Sequence, residues 1–510
     1  MSHRNITSNI LSTSIDINSI LSYINTFVLF GTMFFYLVFG TQENVNETTL
    51  FIYSLLAIQT HLFLKFEKKN QNPFLILIVV YLVFFNYPKI ITLYWDVENI
   101  GVIHRMNDAV VADINNALEF IFFANLMLFL GLCQFKNNLR EIYKEILIDY
   151  TANRNLKICF LVALFIFIYS LNLSFPLLTN LMSIILYLIS PTNLIIVILT
   201  LIICNKPPGG GLLAKDRIWY VLLFINIFVL SLNQLASGSR SAFFVIAQSS
   251  FIIILSCNKR RIKTKYFLLV FILILISFVT FSLSTSLRSN KISESTPFYE
   301  RLMIIVDQLK QTNFENVQSN NVVTRNVIDR IIYLDYTIDM LKNYDHYVDV
   351  INVSSGLKSA IDGLTPGFDL FDAPKLSNAL SSVYYSDLDR LKRVNNSGYQ
   401  SDQFNIYGEF YVLFGAWFSL PFFCFFSYLA SSFYRKLRYT SYFRLCVWKS
   451  FYMITFASFL TSFGFDWCCV YAIMNFISIK FILYLIDSQN KRQTKGVTRK
   501  VSIPLRDFDS

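Results

Sequence analysis

The amino-acid sequence predicts an all-α polytopic membrane protein with about twelve transmembrane helices and one large, partly helical external loop. Of its 510 residues, 54% are hydrophobic and only 15% are charged, and the mean hydropathy is +0.48. Soluble domains usually carry about 25% charged residues. In a chain of this length, so little charge indicates many membrane spans rather than several soluble domains.

Twelve apolar stretches are each long enough to cross the hydrocarbon core, which takes roughly 17 to 25 helical residues. They lie at 18–40, 49–65, 73–95, 117–135, 156–175, 179–204, 217–236, 240–257, 264–286, 407–431, 444–463 and 467–486. The sequence therefore predicts nine spans before the large loop and three after it.

The positions of Lys and Arg predict the orientation of these spans. One alternating set of loops, together with the carboxyl-terminal tail, carries 26 Lys or Arg, and the opposite short loops carry only Arg105 and Arg240. Such an asymmetry over short loops places the basic set in the cytoplasm, with both termini on that side. The net charge of +11 then reflects cytoplasmic loops, and we expect no nucleic-acid partner.

The spans divide the chain into four parts. We expect a transmembrane bundle of nine spans at 1–286, a large external loop at 287–406, three further spans at 407–486 and a basic cytoplasmic tail at 487–510. The loop contains no Cys, so no disulfide framework holds it and it must fold by packing on the membrane domain.

Two segments of the loop have contrasting patterns. Residues 325–343 carry apolar side chains at helical spacing, which predicts an amphipathic helix. Residues 354–375 are rich in turn formers, so the sequence predicts irregular structure there.

Three arginines on the predicted external side are candidates for binding a phosphate group. Arg240 lies in the tight turn SGSR, Arg288 follows the ninth span, and Arg330 lies in the large loop. The planar guanidinium stays charged and can bind phosphate with two parallel hydrogen bonds. The alternative for Arg240 is that it only anchors its helix at the membrane interface, as arginines near helix ends do.

Glu409 and His346 are further candidates. Glu409 lies at the start of a span, where an acid is costly unless it faces a cavity or a partner. It is therefore either half of a structural ion pair or part of a functional site. His346 is the only histidine in the large loop, although most exposed loop histidines have no catalytic role.

The chain resembles the O-antigen polymerases, the Wzy-type oligosaccharide repeat-unit polymerases that build lipopolysaccharide and other surface polysaccharides in bacteria. Four features carry the resemblance: about twelve spans, the hairpin SGSRSAF, the late external loop with DRIIYLDYTIDML and LTPGFDLFDAPKLSNAL, and the re-entry segment GYQSDQFNIYGEFYVLFG. The family implies a bacterial inner-membrane glycosyltransferase acting at the periplasmic face on undecaprenyl-diphosphate-linked oligosaccharides. It also implies membrane lipid and a chain-length regulator protein as partners.

The resemblance assigns roles to the candidate residues. The donor already carries a diphosphate leaving group, so we expect no metal and no cofactor. Arg240, Arg288 and Arg330 would bind the diphosphate. Glu409, Asp402 or His346 would accept the proton of the acceptor hydroxyl, unless departure of the leaving group drives the step without a base.

Two other functions remain open. The related O-antigen ligases share this architecture but use a histidine just before the span that follows the large loop, and this chain has no His between 347 and 510. A flippase or transporter of lipid-linked oligosaccharides also has about twelve spans, although it would not need an external loop of this size.

Overall fold

The computed structural model describes the larger part of the chain in separate stretches. These are residues 14–41, 45–70, 72–83, 87, 111–133, 161, 188–189, 191–204, 221, 223–224, 227, 242–258, 261–263, 268, 270, 272, 303, 334–365, 370–373, 375–385, 405–435, 437, 442–461 and 464–493.

The described residues are almost entirely helical, apart from two three-residue strands. In chain order the elements are β1 (Ser14–Asp16), α1 (Ile17–Phe39), α2 (Glu47–Asn70), α3 (Pro73–Tyr81), α4 (Val111–Cys133), α5 (Pro191–Cys204), α6 (Ala242–Asn258), β2 (Arg261–Lys263), α7 (Leu334–Lys342), α8 (Tyr344–Val350), α9 (Val353–Leu364), α10 (Leu376–Tyr385), α11 (Ile406–Arg435), α12 (Tyr442–Thr461) and α13 (Phe465–Gln493).

Five of the described helices are long and apolar enough to cross a membrane: α1, α2, α4, α11 and α13. Nine of the twelve predicted spans contain a described helix. These nine helices are the five just named together with α3, α5, α6 and α12. The remaining predictions, at 156–175, 217–236 and 264–286, fall almost wholly outside the described residues.

The chain divides into two compact units. The first comprises residues 1–138, 233–436 and 449–473, and the second comprises 139–232, 437–448 and 474–510. In the second unit, the Asn193 side chain donates to Asn475 Oδ1 at 3.0 Å, and the rings of Trp448 and Phe476 lie 5.1 Å apart. The candidate residues with described positions belong to the first unit.

Helix α11 reverses direction at Gly415, where φ is 72° and ψ is 169°. In a continuous helix, residues 407 and 423 would lie about 24 Å apart, since each residue rises about 1.5 Å. The rings of Tyr407 and Phe423 are instead 5.7 Å apart, and those of Phe414 and Phe422 are stacked at 4.0 Å. The span predicted at 407–431 is therefore a hairpin of two half-helices, 406–414 and 416–435.

Contacts along α4 give the direction of each half-helix. Tyr411 packs edge-to-face on Phe120 at 5.1 Å, while the Tyr407 hydroxyl donates to Asn125 Oδ1 at 2.7 Å. Tyr411 thus lies beside residue 120 of α4 and Tyr407 beside residue 125. The first half-helix and α4 therefore run antiparallel. The second half-helix runs parallel to α4, and it approaches so closely that a Cβ on Gly131 would lie 2.8 Å from the Tyr428 backbone nitrogen.

Helices α7 to α10, which fall in the predicted loop and are called the loop helices below, belong to the first unit rather than to a separate one. Lys342 forms an ion pair of 3.6 Å with Asp113 near the start of α4. Tyr347, Ile351 and Leu380 form a buried apolar cluster with Val412 of the first half-helix, together with other loop residues. The amphipathic helix predicted at 325–343 is confirmed for α7, from Leu334 to Lys342, and residues 325–333 lie outside the described part of the chain.

The prediction of irregular structure at 354–375 is wrong for residues 354–364, because α9 occupies Val353–Leu364. The described residues 365, 370–373 and 375 are irregular, as predicted. Its start is fixed by a capping box: the Asn352 side chain accepts from the Ser355 backbone nitrogen at 2.8 Å, and the Asn352 nitrogen donates to Ser355 Oγ at 3.0 Å. The serines and glycines that suggested turns therefore belong to a capped helix.

Strands β1 and β2 form a short antiparallel pair in which Ile15 lies opposite Ile262. The sequence predicts no strands, but it does place these two segments in the cytoplasm, with eight predicted spans between them. Pairing of two segments at one end of a bundle requires an even number of crossings between them, and the predicted eight spans satisfy this condition.

Candidate functional site

Asn405 joins a loop helix to the start of α11. Its amide nitrogen donates to Thr337 Oγ1 of α7 at 2.6 Å, and its side-chain oxygen accepts from the Gly408 backbone nitrogen at 2.9 Å. Asn405 and Thr337 are both fully buried. A small residue is needed at 408, because a Cβ there would collide with Met340 Sδ. The amino-terminal end of α11 is therefore tied to α7 inside the protein.

The first half-helix of α11 lies beside the interior of α4. Tyr407 bonds to Asn125, which is eight positions beyond the predicted membrane boundary of α4 at residue 117. At about 1.5 Å per residue, this bond lies roughly 12 Å along α4 from that predicted boundary. A half-helix that ends within a membrane must bury its free terminal backbone groups in protein or line a cavity, because lipid cannot satisfy them.

Glu409 lies within this half-helix and is 1% exposed. Its backbone nitrogen donates to the Asn405 carbonyl oxygen at 3.2 Å. Since Glu409 lies between Tyr407 and Tyr411 in the half-helix, its depth lies between those of Asn125 and Phe120. That range is roughly 5 to 12 Å below the predicted boundary. A carboxylic acid at this depth is costly unless it has a partner or a function.

Asp335 is a second buried acid in the same region. It lies in the first turn of α7 and is 5% exposed. Thr337, two positions further along α7, is fully buried and its hydroxyl accepts from Asn405. The first turn of α7 therefore carries two buried polar side chains.

His346 occupies a different environment from Glu409. Its side chain is exposed on α8, whereas the neighbouring Tyr347 is fully buried and bonds to Asp339. The His346 backbone nitrogen donates to the Asn343 carbonyl oxygen at 3.0 Å. This exposed position on α8 is typical of a surface histidine.

The other four candidate residues lie outside the described part of the chain. They are Arg240, Arg288, Arg330 and Asp402. Their roles in binding diphosphate or accepting a proton remain predictions. Among the described residues, no group of three or more His, Cys, Asp or Glu side chains could hold a metal ion.

Four residues of the buried polar region are not among the candidates predicted from the sequence: Asn125, Asp335, Asn405 and Tyr407. A signal for Asn125 exists in the sequence, since this amide interrupts the apolar run FIFFANLMLFL. Polar groups within spans usually face the bundle interior and often mark a functional site. The other three lie in or beside the predicted loop, where polar residues are ordinary.

The long apolar helices and the polar groups buried between them define the class of this chain as a helical membrane protein. Comparison with protein-family models, curated proteins and solved structures found no match to the chain.

Proposed function

We propose that this protein polymerises undecaprenyl-diphosphate-linked oligosaccharide repeat units at the periplasmic face of the bacterial inner membrane. The growing chain leaves its lipid diphosphate and joins a sugar hydroxyl of a newly arrived lipid-linked unit. The products are O-antigen or related surface polysaccharides. A chain-length regulator protein is a partner in the same proposal.

The observation that carries the proposal is the position of Glu409. It is buried in a half-helix that reverses at Gly415 and lies roughly 5 to 12 Å below the predicted outer boundary. The diphosphate of a lipid carrier lies at the headgroup level, just above this depth. A carboxylate here can accept the proton of an acceptor hydroxyl while the reacting atoms stay near the lipid surface.

The leaving diphosphate requires positive charge. In the proposal Arg240, Arg288 and Arg330 provide it, since guanidinium groups bind phosphate oxygens with paired hydrogen bonds that strengthen as negative charge develops. No metal or cofactor takes part. Glu409 is assigned the role of base ahead of Asp402 and His346, because it is an acid held at a defined depth in the bundle.

The test is the lipopolysaccharide ladder of a deletion strain, resolved on a gel and complemented with the parent gene. Loss of a polymerase leaves a single repeat unit on the lipopolysaccharide core. Loss of an O-antigen ligase leaves no repeat unit, and so does loss of a flippase. A core without any repeat unit would therefore contradict the proposal and favour one of those two functions.

Metal independence has its own test. Chain growth by the purified protein on lipid-linked units should continue in excess chelator, because arginines supply the charge that Mg²⁺ supplies in other enzymes. Loss of activity in chelator, with recovery on adding a divalent metal, would contradict the proposed arginine site.

A further inference from the structure

Helix α9 exposes an apolar face although it lies in the segment predicted outside the membrane. Val353 is 51% exposed and Leu357 is 62% exposed. Side chains four positions apart lie on the same side of a helix. Such a surface is unfavourable in water, at about 25 cal/mol per Å² of apolar area.

The residues of α9 fall on three faces when they are placed about 100° apart around the helix axis. The contact face meets the bundle through Gly356, Ser359 and Gly363. The apolar face consists of Val353, Leu357, Ile361 and Leu364. The polar face consists of Ser354, Lys358 and Asp362. Each face covers about a third of the circumference, so the apolar face points sideways from the bundle.

The contact face lies across the ends of two membrane helices. A Cβ on Gly356 would be 4.0 Å from Leu413 Cδ2, next to the reversal of α11, and a Cβ on Gly363 would be 3.5 Å from Trp467 Cζ3 in the first turn of α13. The Ser359 hydroxyl donates to Asp466 at 2.5 Å. Helix α9 therefore lies at the level where these two helices end.

Aromatic residues at the same level indicate the membrane interface. Trp417 is 89% exposed just after the reversal of α11, and the Lys375 ammonium lies 4.4 Å from the ring centroid of Trp467. Tryptophan and lysine are both typical of the boundary between acyl chains and headgroups.

We propose that α9 lies in the plane of the lipid interface, with its apolar face in the acyl chains and its polar face toward water. The three faces match the three surroundings of a helix at the rim of a membrane bundle, namely protein, lipid and water. Amphipathic helices bind interfaces in this way through the buried apolar area. Trp417 and Phe418, just after the reversal of α11, are likewise exposed apolar side chains. The inference does not depend on the proposed glycosyl transfer.

The test compares two neighbouring positions on α9. Single cysteines, Leu357→Cys and Lys358→Cys, are introduced after replacement of the eight native cysteines, and each is labelled with an environment-sensitive fluorophore. The proteins are reconstituted in vesicles of phosphatidylethanolamine and phosphatidylglycerol. We expect a lipid-attached spin label near the headgroups to quench the fluorophore at 357 more than at 358. Aqueous iodide should show the reverse order.

Equal quenching of both positions by iodide would overturn the proposal, because α9 would then be exposed to water. Protection of position 357 from both quenchers would also overturn it, since another protein or a second copy would then cover the apolar face. If the cysteine-free protein does not fold, a photoactivatable lipid is applied to the unmodified protein. Adducts should then form on the peptide containing Val353 and Leu357, and their absence would contradict lipid contact.

Discussion

The Ser359 hydroxyl donates to Asp466 Oδ2 at 2.5 Å, and the Leu376 backbone nitrogen donates to the same oxygen at 3.0 Å. Ser359 belongs to α9, Leu376 begins α10 and Asp466 lies in the first turn of α13. One buried carboxylate, 3% exposed, thus fastens two loop helices to the first turn of a candidate span. This relationship explains how a loop without disulfides keeps its position on the bundle.

Replacing Asp466 with Ala should destabilise the first unit. The change leaves a buried hydroxyl and a buried backbone nitrogen without their acceptor, at a cost of about 1–3 kcal/mol for each group. A lower melting temperature in detergent, with faster proteolysis between α9 and α10, would report the loss. Asp466→Asn should recover much of the stability, because its amide oxygen still accepts hydrogen bonds.

The control for this variant is Asp345→Ala, which removes an exposed carboxylate on α8. Its melting temperature should match that of the parent protein. Equal effects of Asp345→Ala and Asp466→Ala would mean that Asp466 does not fasten the loop helices.

Replacing Tyr407 with Phe tests the hydrogen bond that joins the first half-helix to α4. The variant removes the 2.7 Å bond to Asn125 and leaves a buried amide oxygen without its donor, which should cost about 1–3 kcal/mol. Thermal unfolding in detergent measures this change. Tyr428→Phe on the second half-helix is the matched control, since Tyr428 is 42% exposed and should tolerate the loss of its hydroxyl. A parent-like melting temperature for Tyr407→Phe would argue against the buried bond.

Replacing Gly415 with Ala should strain the reversal of α11. A φ of 72° with a ψ of 169° belongs to a region that only glycine enters readily, at a cost of about 1–3 kcal/mol for other residues. The new Cβ would also lie 3.2 Å from the Tyr344 hydroxyl. Gly356→Ala is the control, because no atom lies closer than 4.0 Å to the added carbon and alanine favours a helix. A melting temperature for Gly415→Ala equal to that of Gly356→Ala would contradict the hairpin.

The helices of the bundle could be predicted from hydropathy, because a long apolar segment in a membrane must satisfy its backbone hydrogen bonds internally and therefore forms a helix. The first prediction, 18–40, corresponds to α1 at Ile17–Phe39, and 117–135 corresponds to α4 at Val111–Cys133. The polar start of α4, with Asp113 and Asn115, extends beyond the apolar window because these side chains bind Lys342 and Thr49.

The reversal within α11 could not be predicted from the same signal. Hydropathy measures the composition of a window, and the residues on both sides of Gly415 are equally apolar. The reversal depends on tertiary contacts between rings far apart in sequence, such as Phe410 with Phe422 at 4.9 Å. For α9 the cause is different: glycines such as Gly356 and Gly363 are typical of turns, yet here both lie within a helix, and Gly363 allows close packing against Val470.

Replacing Glu409 with Gln separates a catalytic role from a structural one. Glutamine keeps the volume and hydrogen-bonding capacity of the side chain but cannot accept a proton at neutral pH. If Glu409 is the base, the lipopolysaccharide ladder should collapse to the single-unit band while the melting temperature and the amount of membrane protein stay normal. Glu47→Gln, on an exposed acid at the start of α2, is the control. A normal ladder with a lowered melting temperature would assign Glu409 to a structural contact.

Replacing Arg240 with Ala tests the proposed diphosphate site, which lies outside the described residues. A charged hydrogen bond to a leaving diphosphate strengthens as negative charge develops, so its loss should slow chain growth roughly a hundred- to a thousandfold. The ladder should then collapse to one repeat unit at normal protein level. Arg240→Lys should recover only part of the ladder, because a point charge lacks the paired donors of arginine. Arg105→Ala, on the same predicted side but outside the proposed site, should keep the full ladder. A full ladder from Arg240→Ala would instead make this arginine an anchor at the membrane interface.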